Sequence, residues 1–171
     1  MQDELTSLVT VLGVISDTHG PLTDEAAAAL QGVDHIICAG DIVSDEMLPT
    51  LEAIAPVTAV RGNMDGCGAP SSLPRTAWVE IAGVAVYVLH DLNQLDLDPA
   101  AANIKMVIHG HTHRQSLEMR QDVLYLNPGS AAFPRGPMSS SIARVSVVDG
   151  RVFPEIIPLR PVKDISIGRR R

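Results

Sequence analysis

The sequence predicts a single α/β domain built from two packed β-sheets with helices on the outside. Three observations carry that expectation: short apolar runs in the first half that each stop at a glycine-bearing loop, helical spacing between those runs, and strand-like alternation through most of the second half. A chain of 171 residues, 46% of them hydrophobic, can bury one substantial core, because surface falls relative to volume as a domain grows. The expected domain covers residues 1–157, and residues 158–171 read as a basic tail.

Residues 9–15 are rich in valine and isoleucine and read as a buried first strand. Polar residues and Gly20 follow, which puts Asp17 and His19 in a loop. Residues 24–30 are alanine-rich and begin with acidic side chains, which suit the positive end of a helix. A second apolar run, 35–39, ends at Gly40 and Asp41; residues 45–54 then place Met47, Leu48, Leu51 and Ile54 at helical spacing, with Asp45 as N-cap. Residues 57–60 read as a third strand, ending at Arg61, Gly62 and Asn63. Ligands of open α/β sheets bind at the carboxyl ends of the strands, so the polar residues of these loops are expected to converge.

After a Gly, Pro and Ser loop at 66–74 the pattern changes to consecutive strands. Residues 76–81 and 84–89 flank the hairpin turn Ala82-Gly83, and His90 follows the second of them. Asp98-Pro99 reads as a helix start, Asp98 as N-cap and Pro99 at the first helical position. Residues 106–108 form a short strand running into His109-Gly110-His111-Thr112-His113. Strands at 115–119, 123–127, 142–148 and 151–157 complete the pattern, with Asp149-Gly150 as a hairpin turn.

Composition narrows the function classes. A net charge of -7 opposes long-range attraction to a polyphosphate backbone, and aromatics at 3% leave little to stack a nucleic-acid strand, so long nucleic acid is disfavoured as a partner. No apolar run approaches the roughly 20 residues that cross a bilayer, so no membrane is expected as a partner. The first ten residues carry Asp3 and Glu4 where a secretory signal carries positive charge. Cys38 and Cys67 match neither a zinc-finger nor a disulfide spacing; a buried thiol and a loop thiol suit a cytoplasmic location. Arg160, Lys163 and Arg169 to Arg171 read as a solvated tail.

The chemistry-bearing residues cluster at the strand ends. Asp17 and His19 lie two apart, and in an extended segment such residues point to one side; His111 and His113 repeat the spacing. With Asp41, Asn63 and His90 they make seven oxygen and imidazole donors without thiolate, a set suited to manganese, iron, zinc, nickel or magnesium. Seven donors exceed the needs of one ion but divide between two ions about 3.5–4 Å apart, with a bridging carboxylate. His35, at the start of a buried strand, reads as structural. His109 is placed on the side of His111, where it would support the ligands or transfer protons. Asp65 suits a turn former or the partner of a ligand, and Arg61 and Arg135 could fork onto phosphate oxygens but stay outside the catalytic set.

Ser16-Asp17-Thr18-His19-Gly20, Gly40-Asp41, Gly62-Asn63-Met64-Asp65, His90 and Gly110-His111-Thr112-His113 occur in that order, with Asn127-Pro128-Gly129-Ser130 and Pro134-Arg135 after them. This set resembles the calcineurin-like metallophosphoesterase superfamily, and within it the small bacterial and archaeal phosphodiesterases, from about residue 9 to about 157. The resemblance implies a four-layer αββα sandwich of two mixed β-sheets flanked by helices. It also implies two divalent metal ions, manganese first, with nickel, zinc, iron or magnesium as alternatives. One ion would take Asp17, His19, Asp41 and His113, the other Asp41, Asn63, His90 and His111, with Asp41 as the bridge and a hydroxide between the ions attacking phosphorus. Asp41, Asn63, His90 and His111 form the implied catalytic set, and the implied substrate is a small soluble phosphate ester, a phosphodiester before a phosphomonoester. Homo-oligomerisation stays open.

The alternative is a non-catalytic metal-binding scaffold or protein-interaction module, because a eukaryotic retromer scaffold subunit resembles the same fold with a degenerate metal site. Here every ligand position is filled. Two departures stand out. Met64 occupies the place where larger members carry a histidine that protonates the leaving group, which leaves the general acid unassigned. His90 is followed by Asp91 where many relatives have glycine, which either shifts the ligand or orients its imidazole, the second fitting the usual carboxylate partner of a metal-bound histidine.

Overall fold

The computed structural model describes residues 8–159; the basic residues expected as a tail, Arg160, Lys163 and Arg169 to Arg171, lie outside them. The first apolar run is strand β1 (Val9–Ile15), whose last four residues are buried. Strands β2 (His35–Cys38) and β3 (Val57–Ala59) extend the sheet in parallel on one side of β1. The final hairpin, β9 (Ser141–Val148) and β10 (Arg151–Pro158), closes its other side antiparallel, giving the order β10-β9-β1-β2-β3.

The second sheet comes from the middle of the chain. Strands β4 (Thr76–Ile81), β5 (Val84–Leu89), β6 (Met106–Ile108), β7 (Gln115–Arg120) and β8 (Val123–Pro128) lie in the order β4-β5-β6-β8-β7, with β5, β6 and β8 parallel. Edge strand β4 alternates exposed and half-buried, turning Ala77, Val79 and Ile81 inward, whereas interior strand β8 is buried throughout. The expected hairpin turns hold positive φ at both central residues, Ala82 and Gly83 at 51° and 75°, Asp149 and Gly150 at 49° and 73°. That geometry matches the right-handed twist of the flanking strands.

Three apolar layers hold the sandwich. Leu12, Val14, Ile37, Val86, Ile108 and Val145 fill the space between the sheets. On the outer face of the first sheet, helices α1 (Asp24–Ala29) and α2 (Met47–Glu52) close over Ile15 and Ile36, with Leu30, Met47 and Leu51 fully buried. The outer face of the second sheet buries Tyr87, Leu89, Val107 and Tyr125 under Leu92, Leu95 and Leu97 of the segment after β5, which forms a short 3₁₀ turn. Cys38 lies in the first of these outer layers, and burial pushes its thiol up to about 12, which keeps it protonated. Among the described residues no helix is long and apolar enough to cross a membrane.

Two local expectations are corrected. Asp98 caps a single turn rather than a helix: its carboxylate accepts from the Ala100 and Ala101 N–H groups, but Asn103 at φ 56° ends the turn so that the chain can pair Met106 with Val86. Asp45 does not cap α2, which begins two residues later behind Glu46; its carboxylate accepts instead from the Ala69 N–H at 2.7 Å. At α1 the cap is Thr23, whose hydroxyl accepts from the Ala26 N–H.

The arrangement sends the loops after β1, β2, β3, β5, β6 and β8 to one rim. Backbone bonds lace them together: Asp17 N–H to the Gly40 carbonyl, Gly110 N–H to the His90 carbonyl, and Ala131 N–H to the Ser16 carbonyl, the last joining the two sheets. Leu30→Ala, which empties a fully buried position beneath α1, is expected to lower stability by about 2–5 kcal/mol in urea unfolding.

Candidate metal centre

All seven expected donors meet at this rim. Ligand atoms of Asp17, His19, Asp41 and His113 lie within 4.8 Å of one another. Within that group His113 Nε2 is 3.3 Å from Asp17 Oδ1, and His19 Nε2 is 3.7 Å from Asp41 Oδ2. The remaining three join on the far side of Asp41: His90 Nε2 is 3.4 Å from the same Oδ2 and 3.2 Å from Asn63 Oδ1, which in turn is 3.0 Å from His111 Nδ1. Asp41 Oδ2 is therefore common to both groups.

The loops reach this convergence by a different backbone from the extended one expected. Asp17, His19, His111 and His113 all take positive φ, between 48° and 68°, as do Asp41 at 53° and Val43 at 65°. Such conformations cost of order 1–3 kcal/mol each for residues with a Cβ, most for a β-branched one. The two-residue spacing thus works through left-handed turns, not through strand alternation.

The surroundings offset that strain. Asp65, only 2% exposed, accepts from the Ile42 and Val43 N–H groups with Oδ1 and from Gly62 N–H with Oδ2, each at 2.8 Å. It is the turn former of the two roles expected. Met64 contributes its backbone, donating its N–H to Asp41 Oδ1 at 2.8 Å and leaving Oδ2 for the cluster. Gly62 and Gly110 are set by close approach, because a Cβ would strike Asp41 Oδ1 at the first and Ser16 Oγ at the second.

Asn127 and Ser130 were not among the expected site residues, although both are fully buried beneath the loops. Asn127 donates to the Gly110 carbonyl at 2.8 Å and to Thr112 Oγ1 at 3.1 Å, bracing the turn that carries His111 and His113. Ser130 donates to the Asp17 carbonyl and accepts from Phe133 N–H, both at 2.7 Å. Their only signal in the sequence was the Asn-Pro-Gly-Ser stretch, which names no role.

The electrostatics ask for positive charge. Asp17 Oδ2 accepts from Ser16 Oγ and the His111 N–H, whereas Oδ1 is buried with no hydrogen bond among the described residues. His90 Nδ1 lies 2.7 Å from the Ala39 carbonyl and His113 Nδ1 lies 2.5 Å from the Phe133 carbonyl. Each Nδ1 must carry the proton to make that bond, so each neutral ring turns an Nε2 lone pair into the cluster. There the lone pairs face acceptor oxygens, and His19 Nε2 faces His113 Nε2 at 3.1 Å. A lone pair facing a carboxylate oxygen or a second lone pair is repulsive unless a proton or a metal cation stands between, and this donor set fits divalent metal.

The protonation equilibria lean the same way. Burial raises the Asp17 pKa above its ordinary value. Burial alone would lower His90, but the Asp41 carboxylate and the Ala39 carbonyl outweigh it and hold its pKa above the ordinary range. Burial alone would raise Asp41, but His90 and the Met64 N–H hold it below.

The other expected residues fall elsewhere. Asp91 does not orient the His90 imidazole; its carboxylate accepts from the Asn93 N–H and side chain, and Ala39 orients the ring. His109 is buried apart from the cluster against Asn127, because the left-handed turn at His111 breaks the alternation that would have aligned them. Burial depresses its pKa to about 4. His35 is structural, bonded through Nε2 to Thr58 Oγ1 at 2.8 Å, with its pKa lowered by burial. Arg61 reaches the edge of the cluster, and Arg135 is exposed on the loop after Phe133.

Residues 11–150 match the calcineurin-like phosphoesterase superfamily domain. The chain belongs to that superfamily. It is 36% identical over 164 residues to a "Probable metallophosphoesterase" of Methanocaldococcus jannaschii, covering 87% of this chain and 81% of the relative. A phosphodiesterase of the same archaeon is 29% identical over 136 residues, covering 69% and 82%. Among solved structures, a "predicted phosphoesterase" from Streptococcus pneumoniae superposes with a TM-score of 0.72 at 25% identity, covering 90% of this chain and 94% of that one.

Two outcomes follow from the loop supports. Asn127→Ala leaves the buried Gly110 carbonyl without its donor and is expected to cost about 1–3 kcal/mol in urea unfolding. His109 has a folded value near 4 against an ordinary 6.5, so the folded state binds fewer protons between those values than the unfolded chain. Its contribution is whole above pH 6.5 and is lost as the pH falls toward 4, roughly 3 kcal/mol in all, and His109→Gln is expected to flatten that part of the stability profile.

Proposed function

We propose that the chain is a cytoplasmic phosphodiesterase that uses two divalent metal ions, manganese first, on a small soluble phosphate ester. The supporting observation is the set of imidazole lone pairs and carboxylate and amide oxygens that face one another at 3.0–3.7 Å around Asp41. Asp17, His19, Asp41 and His113 would hold one ion and Asp41, Asn63, His90 and His111 the other, with Asp41 shared. Bound there, the ions would activate water for attack on phosphorus and neutralise charge on the phosphoryl oxygens.

The chain's own groups prepare that site. The Ala39 and Phe133 carbonyls hold the Nδ1–H groups of His90 and His113, so each ring turns its Nε2 toward the cluster. Ser16 Oγ and the His111 N–H anchor one oxygen of Asp17, and the Met64 N–H anchors one of Asp41, so the free oxygen of each carboxylate keeps its aim. The Met64 side chain, 56% exposed, holds no transferable proton. Position 64 therefore supplies no proton to the leaving alkoxide, so the rate depends on the acidity of the leaving alcohol unless another group of the cleft donates.

The purified protein, stripped with a chelator and reloaded with manganese, is expected to hydrolyse bis(para-nitrophenyl) phosphate and to bind two ions per chain by elemental analysis. Asp41→Ala, which removes the shared oxygen, is expected to lose metal and at least about 100-fold in kcat/KM. No turnover with manganese, nickel, zinc, iron or magnesium would favour the scaffold reading instead. Across para-substituted phenyl diesters, kcat should fall steeply as the leaving phenol becomes less acidic; a flat series would mean that a general acid exists elsewhere in the cleft.

A further inference from the structure

The cluster opens on its Asn63, His90 and His111 side into a cleft of about 580 Å³, within the roughly 300–1,000 Å³ range of small-molecule sites. A phosphoryl group against those three residues leaves most of that volume for the organic part of an ester.

The cleft is electrically divided along the sequence. Its arginines, Arg61 and Arg75, belong to neighbouring segments, held together by the Arg61 N–H to the Pro74 carbonyl at 2.9 Å and by Arg61 Nη1 to the Ser71 carbonyl at 3.1 Å. The Arg75 guanidinium has no hydrogen bond or ion pair among the described residues, although the chain carries a net charge of -7. The segment after β5 contributes Gln94 and Asp96, whose side chains also make no hydrogen bond among the described residues. Asp91, beside them, is engaged with Asn93. Tyr87, the phenol ring of the lining, is only 8% exposed and offers little surface for stacking a base.

Two arginines beside a phosphoryl site suit a second anion, because a guanidinium forks onto two oxygens at once. A carboxylate and an amide in the same lining can accept hydrogen bonds from hydroxyl groups. We propose that this cleft selects phosphodiesters in which one arm is a hydroxylated group bearing a second negative charge, a phosphorylated sugar or polyol. The ester phosphoryl group sits at Asn63, His90 and His111, the second anion on Arg75 and Arg61, and the hydroxyl groups on Asp96 and Gln94. The inference rests on the phosphoesterase reading of the metal cluster.

Calorimetric titration of the manganese-loaded protein reads the second anion as a difference in affinity. Fructose bisphosphate is expected to bind about tenfold more tightly than fructose monophosphate, the scale of one charge-assisted contact. That ratio is expected to approach one in Arg75→Ala, to survive in part in Arg75→Lys, and to persist in Arg120→Ala, which removes the same charge from β7, outside the cleft. Equal affinity for the two sugars in the unaltered protein, or a ratio that Arg75→Ala leaves intact, overturns the proposal. The phosphoesterase reading fails separately, if the same preparation does not hydrolyse bis(para-nitrophenyl) phosphate, which carries no second charge.

Discussion

Asp41 stands where two groups of donors meet, and the rest of the site is arranged around its two oxygens. One is held by the Met64 N–H; the other faces His19 on one side and His90 on the other. A carboxylate in that position joins what would otherwise be two separate half-sites. It also concentrates negative potential at a buried point that the imidazole lone pairs cannot relieve by themselves.

Holding that arrangement requires backbone conformations that isolated loops would avoid. Six residues with a Cβ sit at positive φ in the loops after β1, β2 and β6, among them Val43. The structure holds them through buried side chains that bond to backbone: Asp65 beneath the loop of Asp41, Ser130 beneath Asp17, Asn127 beneath the turn of His111. These side chains bond to the backbone of the loops that carry Asp17, Asp41, His111 and His113, and so set where those side chains point. The two sheets are tied together at the same place, since Ser130 follows β8 of the second sheet and Asp17 follows β1 of the first. Stability of the sandwich and geometry of the site are therefore coupled.

The cleft beside the cluster is lined from both sheets. Its arginines come from the end of β3 and the approach to β4, one strand in each sheet, so the cleft exists only because the sandwich is closed. Arg61 lies two residues from Asn63 and could be suspected from the sequence. Arg75 lies twelve residues away, beyond a Pro- and Ser-containing loop, and no local pattern marks it.

Much was legible in the order of residues: the strands, from apolar runs and their alternation; the hairpins, from Ala82-Gly83 and Asp149-Gly150; and the seven donors, from strand ends that carry Asp, Asn and His. Those features are local, and local patterns report which face is buried and where a chain must turn. Tertiary structure alone decided the rest. It moved Asp45 from a helix cap to a loop brace, reduced the expected helix at Asp98 to one turn, and turned Asp91 away from His90. It replaced the expected strand alternation with left-handed turns and recruited Asn127, Ser130 and Arg75 from distant segments. The physical reason is that a buried polar atom takes whichever partner the packed sheets bring to it, and that partner's distance along the chain leaves no trace in the neighbouring residues.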